Sequence, residues 1–141
     1  MIRKLLLVAS LALGAAQLAV AAPSKTDLVA GCAKISAALA ADDFATAKTA
    51  AKTFAEQATA ADKKKLAEQA TLVAKAKDIQ GARDSFKALS TSVEPLAAGE
   101  NDYVVMNCPM AAADWVQAKG AVQNPYYGKM MLSCGAPKQT K

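Results

Sequence analysis

No histidine occurs among the 141 residues. Its absence removes the commonest general base at neutral pH, the commonest metal ligand, and any haem attached through Cys-x-x-Cys-His. Aromatic residues are scarce at 5%, with a single tryptophan, so few large side chains are available to fill a core. Cysteine is limited to three, and no Cys-x-x-Cys pair occurs. That excludes the usual disulfide-oxidoreductase motif, and a cysteine nucleophile lacks an activating base. No enzyme is expected, and no catalytic residue is assigned.

Strong charge is also missing. The chain has 17 basic and 12 acidic residues, and without Arg3 and Lys4 the balance is 15 against 12, a net +3. The only basic run, Lys63-Lys64-Lys65, reads as a solvated helix face, and no nucleic-acid partner is expected. The one long uncharged stretch is residues 5–20, preceded by Arg3-Lys4 and followed by Ala19-Val20-Ala21. This is the layout of a cleaved signal peptide over residues 1–21. The mature chain is then residues 22–141, exported to the periplasm with no stable membrane insertion. Leu28-Val29-Ala30-Gly31-Cys32 has the letters of a lipoprotein signal, but Lys25 and Asp27 separate it from the hydrophobic run. Cys32 also recurs at helical spacing with Leu28, Ile35 and Leu39, which predicts a core thiol.

What remains is alanine and helical periodicity. Of the 77 residues from 22 to 98, 23 are alanine, which favours helix and close axis approach but buries little area. Helical spacing predicts a first helix over residues 26–39. A second is capped by Asp42 or Asp43 and buries Phe44, Ala47, Ala51, Phe54 and Ala58. A third carries Leu66, Ala70 and Val73 inward. A fourth, capped by Asp78, buries Ala82, Phe86, Leu89 and Val93 and is ended by Pro95 and Gly99. The fold class expected is all-α: an antiparallel up-and-down bundle of about four helices over residues 22–98. A longer two-helix hairpin is the rival.

Residues 99–141 read as an irregular segment of the same domain, packed on the bundle through Tyr103, Trp115, Tyr126 and Tyr127. Tyr103-Val104-Val105-Met106 has extended character, one or two helical turns are expected over residues 111–118, and Gly120, Asn124-Pro125 and Gly128 mark turns. All four non-initiator methionines and two cysteines lie here. On an extended strand Met106, Cys108 and Met110 point together unless Pro109 bends the chain. Met130, Met131 and Cys134 form a second set that a turn over residues 124–128 can return to the first. Thiolates and thioethers are soft ligands that suit Cu(I) or Ag(I), whereas zinc without histidine needs more cysteines than are present. The alternative is a Cys108–Cys134 disulfide formed in an oxidising compartment, adding about 3 kcal/mol of stability.

Tyr103-Val104, Cys108-Pro109-Met110-Ala111, Trp115, Asn124-Pro125-Tyr126-Tyr127-Gly128 and Met131-Leu132-Ser133-Cys134-Gly135 resemble a bacterial domain of unknown function, family 3347. Leu39-Ala40-Ala41-Asp42-Asp43 is similar to its first helical junction, and Ala82-Arg83-Asp84-Ser85-Phe86-Lys87-Ala88-Leu89-Ser90 to its last helix. The resemblance covers most of the mature chain. It implies an exported domain, found alone or attached to periplasmic adaptor subunits of heavy-metal efflux pumps. Carried over by residue, its sulfur positions fall on Cys108, Met110, Met131 and Cys134, which would hold Cu(I) or Ag(I) with Trp115 as a shield. Met106 and Met130 are additions of this chain. The segment between Met110 and Trp115 is shorter than usual in the family and lacks its usual glycine.

Two functions follow as expectations. One is soft-metal buffering or transfer to periplasmic efflux components. The other is a periplasmic interaction module stapled by a Cys108–Cys134 disulfide, with no metal.

Overall fold

The computed structural model describes residues 21–139, so the expected signal peptide lies almost entirely outside the described residues. Four helices come first: α1 (Lys25–Ala40), α2 (Phe44–Ala60), α3 (Lys64–Ala74) and α4 (Ile79–Ala97). Their starts are fixed by short polar side chains that satisfy free backbone N–H groups. Ser24 and Asp27 form a reciprocal capping box on α1, Asp43 accepts from the Thr46 N–H, and Asp78 accepts from the Gly81 N–H. The connections are short, and Asp42 and Asp62 turn the first two with φ of 60° and 55°. Each helix packs on the next and α4 closes onto α1, the up-and-down arrangement predicted from the periodicity.

The buried stripes are those expected. Leu28, Cys32, Ile35 and Leu39 on α1, Phe54 among alanines on α2, Leu66 and Val73 on α3, and Phe86, Leu89 and Val93 on α4 form one core. Phe44 differs: it sits at the first position of α2, only partly buried, with the Lys48 ammonium over its ring. Pro95 does not end α4, which continues to Ala97. It falls in the last turn, where its missing N–H costs a single ladder bond, and Gly99 with φ 81° makes the actual exit.

The all-α expectation needs correcting. The C-terminal segment builds a three-stranded antiparallel sheet in the order β2-β1-β3, from β1 (Tyr103–Cys108), β2 (Ala113–Ala118) and β3 (Ala136–Pro137). Residues 113–118 are therefore a strand, not helical turns. Cross-strand pairing decides this: Met106 lies opposite Trp115 and Cys108 opposite Ala113, and pairing with an established neighbour overrides local helix preference. The hairpin loop leaves Ala112 at φ 48°, a left-handed conformation that glycine adopts without cost. The sheet packs on α1 and α4 chiefly through β2, so the core of the bundle runs on into Trp115 and Val116.

Candidate functional site

The site grows from β1. Its inward alternation buries Met106 and Cys108, and Cys108 is the last residue of the strand. The chain leaves through Pro109, crosses β2 and returns through residues 119–127. There Asn124, fully buried, acts as the organising side chain. Its Oδ1 accepts from the Tyr126 N–H at 2.8 Å and the Tyr127 N–H at 3.3 Å, an Asx turn that Pro125 suits. Its Nδ2 donates to the Cys134 carbonyl at 2.6 Å, and its backbone N–H donates to the Leu132 carbonyl at 2.8 Å. One side chain thus folds residues 124–134 into a closed loop around a short 3-10 turn, Gly128–Met130.

That loop sets Cys134 against Cys108 with the two Sγ atoms 3.1 Å apart. Both are free thiols: Cys108 is fully buried and Cys134 partly exposed. Burial pushes the Cys108 thiol up. Its contacts with the Cys134 thiol, the Ala111 N–H, the Asn124 side chain and the Met110 N–H outweigh burial and hold it below the ordinary thiol range. Cys134 moves the other way, raised first by its hydrogen bond to Cys108 and then by burial. One sulfur is suited to carry charge and its neighbour to donate to it. Cys32, by contrast, is pushed up to about 12 by burial inside α1, an inert core thiol as expected.

The other expected ligands are less closely gathered. Met131 follows the 3-10 turn, half-buried, and its carbonyl accepts from the Cys134 N–H at 3.1 Å. The Met110 side chain is 65% exposed and, with Met130 at 82%, rims a surface cleft of about 240 Å³. Arg83, Asp84, Lys87 and Tyr127 also line that cleft. Met106 is buried beneath the sheet. Among the described residues, no group of three or more His, Cys, Asp or Glu side chains could hold a metal ion. Two cysteines are therefore brought together, one methionine lies next to them in the chain, and Met110 faces solvent.

Trp115 lies fully buried, its indole N–H donating to Gln117 Oε1 at 3.0 Å. A Cβ on Gly135 would meet the far edge of its ring, so the residue after Cys134 must be small for the tail to lie against the indole. Tyr126 packs edge-on to Trp115 and tilted against Phe86, joining the sheet to α4. Burial raises its phenol well above the usual range, and its hydroxyl donates to the Asp114 carbonyl.

Arg83 was not expected to be part of the site. It is buried on α4, donating through Nε to the Pro125 carbonyl at 2.8 Å and through Nη2 to the Leu39 carbonyl at 2.9 Å and Asp42 Oδ1 at 2.5 Å. Asp42 in turn accepts from the Lys129 N–H at 3.1 Å. One guanidinium thus ties the α1–α2 turn to the Asn124-Pro125 loop. Gly128, at φ 57°, is required there because any Cβ would strike Asp42 and Arg83. The sequence signal for Arg83 was only its place in a helix otherwise patterned for burial, between Ala82 and Phe86.

Neither a curated protein nor a solved structure matches the chain. A family does match, over residues 31–103, which run from within α1 to the first residue of β1 and stop short of the thiol pair. On that match the chain belongs to the family described as protein of unknown function (DUF3347).

Proposed function

We propose that this is an exported, non-catalytic interaction module whose C-terminal segment is fastened by a Cys108–Cys134 disulfide. The observation that carries the reading is the 3.1 Å approach of the two sulfurs, held by the Asn124 loop. A covalent bond of about 2.05 Å needs only a small further approach. Among the described residues, three of the four exposed large hydrophobic residues, Met110, Met130 and Leu132, lie on the segment so fastened. Exposed methionines are adaptable contact residues, and a rim of them is a natural docking surface. The staple would hold that rim in one shape. The partner would be another periplasmic component, of which a heavy-metal efflux adaptor is the kind suggested by the resemblance.

The test is intact mass with thiol labelling, on protein taken directly from the periplasm and labelled after denaturation. One labelled thiol, at Cys32, is the expected result. Three labelled thiols would remove the staple.

A second reading rests on the same pair in its reduced form. Two adjacent sulfurs, one favouring the thiolate, with Met131 three residues before Cys134 in the chain, offer soft donors of the type that take Cu(I) or Ag(I). Competitive Cu(I) titration of reduced protein tests it. Binding lost when Cys108 and Cys134 become serine supports it, and unchanged binding in that variant overturns it. Met110→Ser is expected to matter less than Met131→Ser, because the Met110 side chain faces solvent.

A further inference from the structure

We propose that the Cys108–Cys134 bond is an exchangeable latch, opened by a low-molecular-weight thiol that attacks at Cys134. The inference rests on the staple reading and adds which sulfur is attacked and what moves. The two sulfurs differ in access and in support. Cys108 is fully buried at the end of the central strand, paired with β2 and followed by the hairpin loop. Cys134 is partly exposed, outside any helix or strand, between the 3-10 turn and the two-residue β3. An incoming thiol therefore reaches Cys134, while the sulfur expelled stays inside the fold among its neighbours.

The step balances as ordinary exchange. A small thiolate attacks Cys134 Sγ and forms a mixed disulfide as the Cys108–Cys134 bond breaks. Cys108 leaves with the electron pair and takes a proton from solvent. A second small thiolate attacks the small-molecule sulfur of the mixed disulfide and releases Cys134, which is protonated in turn. Two small thiols are oxidised to their disulfide, and one protein disulfide is reduced to two thiols.

Opening releases the one covalent tie on the short stretch between the 3-10 turn and β3. Besides the sulfurs, that stretch is kept by the Asn124 amide on the Cys134 carbonyl, the Asn124 N–H on the Leu132 carbonyl and the fit of Gly135 against Trp115, while β3 and Lys138 anchor the residues beyond it. Met130 and Tyr127, which line the surface cleft, belong to the same loop. The redox state of the pair would thereby control the cleft.

The experiment uses the full mature protein with its bond intact, exposed to graded glutathione in native buffer. Mass and Trp115 emission are followed together. In parallel, the single variants Cys108→Ser and Cys134→Ser are incubated with glutathione disulfide. Expected are reduction of the native bond without denaturant, an emission change that accompanies it, and mixed-disulfide formation at Cys134 about tenfold or more faster than at Cys108. Equal rates at the two cysteines, or a bond that yields only after denaturation, would overturn the latch. Should the natively extracted protein carry no bond at all, the staple reading itself fails, which is a distinct outcome.

Discussion

The buried positions of the four helices are mostly alanine, leucine, valine and phenylalanine, whereas those of the C-terminal segment include Trp115, Tyr126, Gln117 and Asn124. The helices need only the period of their apolar stripe and a cap, since their backbone bonds are internal. The segment after Gly99 pairs its backbone within a small sheet, but the loop from β2 to β3 has no regular ladder of its own, and buried polar side chains organise it. Gln117 accepts from Trp115 and the Gln123 N–H and donates to the Ala118 and Ala121 carbonyls. Asn124 and Arg83 do the same for the loop that carries Cys134. Lys138 holds the tail between Glu94 on α4 and Asp114 on β2. One region is held by many small equivalent contacts, the other by a few that have no substitute.

Substitutions should separate the two. The largest effect is expected from Phe54→Ala on α2, a fully buried ring far along the chain from the thiols. It should cost about 3–5 kcal/mol in denaturant unfolding and take both regions down in one transition, because they share a core. A separate, unshifted transition of the sheet would break that picture.

Arg83→Met should cost about 3 kcal/mol, since it leaves the buried Pro125 carbonyl without its donor, takes one donor from the Leu39 carbonyl and breaks the ion pair with Asp42. Unlike Phe54→Ala, it should also raise proteolysis within residues 124–134 under native conditions. Equal protection in the variant would show that the loop does not depend on the guanidinium.

Acid should act on the junction next. The Arg83 guanidinium, then the Lys129 N–H, hold Asp42 below its ordinary value of 3.8. A carboxylate lowered in the folded state contributes stability that is present above its unfolded pKa and lost as pH falls toward the folded one. Asp114 behaves likewise, because Lys138 and Asn107 outweigh the effect of burial. Unfolding midpoints should therefore decline from about pH 5 to about pH 3, less steeply in Asp42→Asn. An identical slope in that variant would remove Asp42 from the account.

The smallest expected effect is a gain. Ala112→Gly relieves a left-handed residue in the hairpin loop and should stabilise by about 0.5–1 kcal/mol, read as a rise in Tm. A loss would mean that the alanine methyl, or the reduced freedom of the unfolded chain, outweighs the strain.

The same contrast governs what could be read beforehand. The stripes through Ala47, Ala51, Phe54 and Ala58, and through Ala82, Phe86, Leu89 and Val93, follow from spacing alone; residue type pointed to a cap at Asp78 and to one at Asp42 or Asp43, of which Asp43 is the cap. The meeting of Cys108 with Cys134 was anticipated from the turn over residues 124–128. The strand at residues 113–118 was not, because its alanines favour helix locally and its partner lies across a loop. Nor were Arg83, Asn124 and Gln117 legible as organisers. Each is a polar residue whose burial depends on carbonyls and N–H groups supplied from elsewhere in the chain, and no local pattern records that. Met110 failed to join the cysteines because Pro109 ends the strand and turns it outward.

The bundle stands on packing, and the tail depends in addition on the thiol pair; that division is open to measurement. Native-state hydrogen exchange tests it most directly, comparing the oxidised protein with the double variant Cys108→Ala/Cys134→Ala. The amides of Asn124, Gly128, Met131 and Cys134, all hydrogen-bonded within the loop, should lose protection in the variant, while those around Phe54 and Phe86 keep theirs. Unchanged protection of the loop amides, or equal loss in the helices, would contradict it.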